Sequence, residues 1–366
     1  MDGETCEFEF LLHGIDSLYC SYYLSKSSVL AVEETLDFDR LRYLQEEIKQ
    51  TKTKEPMPVK LGNSEFLLKH HGTGSGYSFV IENDKFRIEF GEFIKPNFYV
   101  KFHSQALWSE SAPFLHKKFL KWAGSVGLQP YQPESVTSVD FCFDYYIKKM
   151  EFTADDFKTR AAKDNVVREH KKVQTISFGK SNVMFRFYDK VAEIAQVSHK
   201  TWFFRLWGRH TDVWRIEWEL KKTVLKKYDI RTIEDLEALK GDVLRDLATS
   251  HETLRIPSED TNESRWPLHP LWLDLQNQIE QIKNLGVLKI NGMRPCLEER
   301  LERIAISMLG NLKQVAAIYS ILHKQGDVSM RSAMEYIDLY LRQHLDQVTW
   351  GKDVEKRIKR LELGEW

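Results

Sequence analysis

Ser138-Val139-Asp140-Phe141-Cys142-Phe143-Asp144, Phe185-Arg186-Phe187-Tyr188-Asp189-Lys190 and Trp214-Arg215-Ile216-Glu217-Trp218-Glu219-Leu220 are the segments whose reading decides the fold. Side chains on a strand alternate between its faces. Asp140 and Asp144 therefore share one face, Arg186, Tyr188 and Lys190 a second, and Arg215, Glu217 and Glu219 a third. The opposite faces carry Phe141, Phe143, Phe185, Phe187, Trp214, Ile216, Trp218 and Leu220, enough apolar surface to pin the register against a core. If the three strands share a sheet, acids, cations and a tyrosine meet on its other side.

Outward from these segments the pattern stays strand-rich. Residues 5 to about 105 read as a meander with one helix near Asp37 to Thr51, and Gly72-Thr73-Gly74-Ser75-Gly76 reads as a turn between strands. No Lys-Ser/Thr follows that glycine run and a strand comes next, which argues against a phosphate cradle. Pro113 opens a helix that ends near Gly124 and carries His116, Lys117, Lys118 and Lys121 on its other face. A second helix is expected from Thr153 to about Ala162, with Asp156 as a capping acid. Gly179-Lys180-Ser181 joins Gln174–Phe178 to Asn182–Tyr188 as a hairpin, and Lys200 to His210 and Val213 to Lys222 are expected to continue the sheet. Helices are expected over Ile233–Leu247, Leu271–Leu285, Leu297–Leu322 and Val328–Leu345, with Arg255–Pro270 as a linker or exposed crossover. The class is α+β: a mostly antiparallel sheet domain over residues 1–230, followed by a helical region over 231–366. His13–Tyr23 echoes Thr137–Tyr146, which suggests halves 1–110 and 111–230 built on a duplicated β-α-β-β unit, with chance similarity of amphipathic strands as the alternative.

Composition bounds the function. At 366 residues the chain is long for one compact domain, and 42% hydrophobic and 12% aromatic residues supply an ample core. No window is read as an apolar segment long enough to span a bilayer. Lys+Arg 53 against Asp+Glu 54 gives a net charge of -1, so a polyanion would have to be held by a local basic patch. The best such patches are the Lys117–Lys121 face and Lys148–Lys172, although a solvated face is the plainer reading of each. Cys6, Cys20, Cys142 and Cys296 are scattered without a CxxC pair, against a zinc ribbon or a disulfide framework. Met1-Asp2-Gly3-Glu4-Thr5 leads into no apolar segment, so a soluble cytoplasmic protein is expected.

The chemistry that suits a tyrosine among cations and acids is attack on a phosphodiester. A phenol with pKa near 10 is only about 0.1% ionised at pH 7, and burial disfavours the phenolate further, so activation needs a base, a metal or positive charge. Arg186 and Lys190 flank Tyr188 on its own face, and neighbouring carboxylates offer hard oxygen ligands for Mg²⁺ or Mn²⁺. The competing reading is an edge-strand aromatic among cross-strand ion pairs. Histidine pairs are poor metal candidates, since His70 and His71 point to opposite faces of any strand.

At these same residues the chain resembles the replication initiation factor family, the rolling-circle plasmid initiators and related relaxases of mobile elements. The resemblance rests on the strand with Tyr188-Asp189-Lys190, the later Trp214-Arg215-Ile216-Glu217 strand and the upstream Asp140–Asp144 strand, where Ser138 stands in the family's arginine place. It implies that Tyr188 nicks one DNA strand, keeps the 5′ phosphate and frees a 3′ hydroxyl, with Arg186, Lys190 and Arg215 in support. Asp140 and Glu217 would lead the metal site. Asp140 and Asp144 lie roughly 13 Å apart along their strand and Glu217 and Glu219 roughly 7 Å, so Asp144 and Glu219 come second. The implied partners are origin DNA, duplex and single-stranded, with a host helicase and polymerase and no membrane; a homodimer stays open. A conjugative relaxase with the same chemistry and a non-catalytic DNA-binding regulator are the alternatives, the latter through a helix-turn-helix at Asn311–Lys324 and Asp327–Arg342.

Overall fold

The computed structural model describes residues 8–27, 36–52, 54–282, 293–324 and 329–362. The N-terminal reading, Cys6 and the turn between the two helix-turn-helix segments lie outside them, as does the side chain of Cys296. By internal contacts the chain divides into Met1–Ile290 and Asn291–Trp366.

The first unit begins with β1 (Phe8–Tyr22), β2 (Leu24–Lys26), α1 (Phe38–Gln50), β3 (Met57–Leu61), β4 (Ser64–Leu68), β5 (Phe79–Glu82), β6 (Phe86–Phe90), β7 (Phe98–Phe102), α2 (Ser104–Ser109), α3 (Ala112–Ser125) and β8 (Leu128–Pro130). It continues with β9 (Ser135–Ile147), β10 (Phe157–Thr159), β11 (Asp164–Glu169), β12 (Lys172–Gly179), β13 (Val183–Asp189), α4 (Lys190–Glu193), α5 (Phe203–Trp207), β14 (Val213–Lys221), α6 (Lys222–Lys227), α7 (Ile233–Asp246), β15 (Glu252–Leu254) and α8 (Pro270–Glu280). Eleven strands form one antiparallel sheet in the order β11-β12-β13-β14-β9-β1-β7-β6-β5-β4-β3. In each half a long central strand comes first, and the chain then crosses to the outer edge and returns inward strand by strand. The order suits the expected repeat, with more strands in each half than a β-α-β-β unit holds. The outer strands are β3, which carries Pro58 and Lys60, and β11, whose side chains are nearly all exposed.

Alternation pins one face of the sheet to the core. Phe141, Phe143, Phe185, Phe187, Ile216, Trp218 and Leu220 are buried there, and Trp214 stacks on Phe187 at 5.0 Å. The Gly179 turn is tight because its φ is 94° and a Cβ would meet the Val183 carbonyl oxygen at 2.2 Å, so only glycine fits. Helices α7 and α8 close over this face. Leu236, Val243, Leu244, Leu271, Trp272, Leu275 and Ile279 are buried in the same core as the strands, and the Trp272 ring lies 6.0 Å from both Phe185 and Trp218. These helices, expected in a separate helical region after residue 230, therefore belong to the sheet's own core, and Arg255–Pro270 is a crossover within it.

Two expectations fail locally. Thr153 and Asp156 do form a capping box, yet it holds only the 3-10 turn Ala154–Asp156; Phe157 turns extended and β10 pairs with β15 instead of continuing a helix to Ala162. Within the Lys148–Lys172 segment, β10 and β11 are strands. Lys200–His210 is no strand: Phe203 and Trp207, four apart, share the buried face of α5, which Gly208 ends at φ 64°.

The second unit holds α9 (Met293–His323), α10 (Met330–His344) and α11 (Gln347–Glu362), of which α11 was not expected. Tyr319 on α9 and Tyr336 on α10 meet at 5.8 Å. Ile304–His323 is long and apolar enough, by length and composition, to cross a membrane, with a mean hydropathy of 1.3. That overturns the expectation that no window is; Lys313 is its one Lys/Arg/Asp/Glu residue.

Trp272 fills the space between α8 and the sheet, so Trp272→Ala is expected to lower the unfolding free energy by about 3–5 kcal/mol in urea titrations.

Candidate active site

The polar face of β13, β14 and β9 gathers the residues singled out in the sequence. Register sets Tyr188 opposite Arg215 and Arg186 opposite Glu217; across β14, Arg215 stands opposite Asp144 and Glu219 opposite Asp140. The three strands are consecutive, so their polar side chains form one field.

One end of that field is sealed. Arg215 is fully buried, with Nε 2.6 Å from Asp144 Oδ1 and Nη2 2.8 Å from Oδ2. Its Nη1 lies 3.0 Å from Asp16 Oδ1. The Trp207 indole donates to Asp144 Oδ2 at 2.9 Å, and the guanidinium lies 4.6 Å from the Phe203 ring centroid. Phe203, Trp207, Ile194 and Val213 form a small apolar cluster of their own. Lys190 caps the same end at 1% exposure, bonded to Glu193 at 2.6 Å and 5.5 Å above the Tyr188 ring. It is the first residue of α4 and not the last of the strand, because the Asp189 carboxylate accepts from the Ala192 N–H and starts the helix.

These contacts bear on three expected roles. Asp144 has both oxygens bonded, to Arg215 and Trp207. Arg215 and Lys190 are buried and paired with carboxylates.

The other end is open. Arg186, with its side chain 32% exposed, donates to Glu217 Oε1 at 3.0 Å and Glu219 Oε2 at 2.6 Å, and Lys221 also pairs with Glu219. Between the two ends the Tyr188 hydroxyl donates to Glu217 Oε2 at 2.9 Å. Burial, then the charge on Glu217, pushes the phenol well above its ordinary value, with Arg215 opposing. The phenol is thus bonded to a carboxylate and harder, not easier, to ionise.

Asp140 is the anomaly. Its Oδ1 is buried with no hydrogen-bond partner among the described residues. Burial, then the carboxylates of Glu217, Glu219 and Asp16, pushes its acid well above the usual range, against Arg186. Among the described residues no group of three or more His, Cys, Asp or Glu stands in a metal-holding arrangement. The donor chemistry nevertheless fits a hard divalent cation, since an orphaned carboxylate oxygen facing two further carboxylates is what such an ion would satisfy.

Sequence reading missed Asp16, which sits where β1 slips register against β9 between Ile15 and Ser17. It accepts from Ser104 and Lys200, each at 2.8 Å. Burial would raise its carboxyl, but Arg215, Lys200 and Lys190 override that and hold it far below the carboxylate range. The signal available was the echo of Asp16 with Asp140.

A solved structure is similar to this one. It is a rolling circle replication initiator protein from Geobacillus stearothermophilus, 17% identical, with a TM-score of 0.43 and covering 77% of this chain and 100% of that one. No protein-family model matches the chain. No curated protein matches it.

Asp144→Ala strands the buried guanidinium and should cost about 3–5 kcal/mol in urea titrations whether or not Mg²⁺ is present. Asp140 behaves oppositely. Its folded value is raised above an unfolded value of about 3.9, so it costs nothing at low pH and destabilises as pH rises through that window. In EDTA, Asp140→Asn should therefore be more stable than the parent at about pH 7 and match it below about pH 3.5.

Proposed function

We propose that this chain is a DNA strand transferase that nicks one strand of an origin through Tyr188 and starts rolling-circle replication. The hydrogen bond from Tyr188 to Glu217, on a face shared with Asp140 and Arg186, carries the reading. The order of the strands bearing Asp140, Tyr188 and Glu217, which resembles that of the initiators, supports it.

In this mechanism Tyr188 Oη attacks phosphorus as Glu217 takes the phenolic proton. The new bond joins tyrosine to the 5′ phosphate, and the bond to the 3′ oxygen breaks, that oxygen taking a proton from solvent to give a free 3′ hydroxyl for a polymerase. The phosphotyrosyl ester conserves the bond for later rejoining. Arg186, on the exposed side of the field, is placed to move from its glutamates to a non-bridging oxygen. Asp140, joined by the Glu217 and Glu219 oxygens that Arg186 leaves when it moves, would hold Mg²⁺ or Mn²⁺, which when bound would polarise the phosphodiester. Since Asp140 is protonated more readily than an ordinary carboxyl, loading should release a proton and weaken as pH falls. The exposed Lys117 and Lys121 of α3 offer phosphate contacts on duplex DNA, giving affinity that falls with salt. The process would run in the cytoplasm.

The test is a denaturant-resistant adduct with labelled single-stranded DNA in Mg²⁺ or Mn²⁺. The parent should form it, Tyr188→Phe should bind DNA without forming it, and Glu217→Gln should slow it by about 10²–10⁴. An adduct that survives Tyr188→Phe would sink the assignment. Binding with no adduct from the parent would make the chain a DNA-binding regulator.

A further inference from the structure

The polar face does not end at the acids. On β1 and β7, next in the sheet, it carries Tyr19, Tyr99 and Lys101, each partly exposed, while Leu18, Cys20, Val100 and Phe102 between them are buried on the core side. Tyr19 pairs with Lys101 across the strands, and the Lys101 ammonium lies 5.3 Å over the Tyr19 ring. The Tyr19 and Tyr99 rings stack at 5.8 Å and 29°, and Tyr77 continues the stack at 6.2 Å and 22°. Lys101 has no carboxylate within ion-pairing distance among the described residues, so its cation stays available above an aromatic face.

Register ties this strip to the acids. Tyr19 stands opposite Ser138, and Ser138 opposite Lys221. The next row toward Tyr188 holds Ser17, Asp140 and Glu219. Each row is two residues, about 7 Å along the strands. A chain of nucleotides crossing the face would thus pass from the acids directly onto the tyrosines.

We infer that Tyr19, Tyr99 and Lys101 form a platform for single-stranded DNA, on which bases flanking the scissile phosphate stack while Lys101 holds the backbone. This rests on the proposed function and adds to it where the strand lies. Rings on a sheet face are suited to the task because every base has a π-face to stack, so holding is tolerant of sequence. A duplex, whose bases are already stacked, gains nothing from them. The platform should therefore favour a single strand and bind it through two separable contributions, stacking and charge.

The test uses the full chain carrying Tyr188→Phe, so that no covalent step interferes, and measures anisotropy of a labelled oligothymidine of about 20 nucleotides beside a duplex of equal length. Tyr19→Leu and Tyr99→Leu should each weaken single-strand binding about five- to a hundredfold and leave duplex binding unchanged. Tyr19→Phe should keep it, because the ring and not the hydroxyl stacks. Lys101→Gln should reduce the salt slope by about 0.7. Unchanged single-strand affinity in a folded Tyr19→Leu/Tyr99→Leu double variant would overturn the platform, as would an equal loss on duplex. Adduct formation with Tyr188 restored is read separately: a parent that forms no adduct defeats the nicking assignment, whereas a Tyr19-dependent affinity would still place a single strand on this face.

Discussion

A guanidinium with no exposure to water, held by two carboxylates, is the constraint on which the site depends. Desolvating an ion costs several kcal/mol even after relaxation, so Arg215 tolerates its position only because Asp144 meets it side-on and Asp16 meets its far nitrogen. Those partners lie on β9 and β1, and the aromatic lid over them comes from α5. One charge network thereby joins three adjacent strands and a helix. It sets the floor on which Tyr188 and Glu217 stand, and explains how a field of charges exists inside a folded sheet without pulling it open.

The opposite end has been left unbalanced. Arg186 and Lys221 serve Glu217 and Glu219 between them, and among the described residues Asp140 Oδ1 is left without a hydrogen-bond partner. A fold selected only for stability would replace that acid with an apolar or amide side chain. That cost sits beside a tyrosine bonded to a carboxylate, and groups with displaced acidities tend to gather at functional sites.

Much of this was legible in the sequence because alternation is a strong signal where one face is buried. Phe141, Phe185 and Trp218 fixed the register, and the polar residues between them had to emerge together on the other side. What escaped was governed by partners distant in the chain. Asp16 lies at a bulge, where a strict period of two breaks. Lys200–His210 is a short aromatic run, whose period cannot separate strand from helix. β11 is solvated on nearly all its side chains and so has no apolar period to read. The roles of Asp144 and Arg215 could not be told from spacing, because a metal ligand and half of a buried ion pair look alike until both partners are placed. Helices α7 and α8 have helical periods plain in the sequence, but only packing shows which layer they cover.

The strands at the two margins of the sheet limit how copies of this protein can meet. An open antiparallel sheet presents unused N–H and C=O groups along each margin, an invitation to templated growth by a neighbour's backbone. Pro58 removes a donor from one margin, and the other bears Asp164, Arg168 and Glu169, whose charges would have to be dehydrated or matched in any continued ladder. Main-chain pairing at these edges is therefore discouraged from both directions, and assembly, where it occurs, has to be negotiated through side chains.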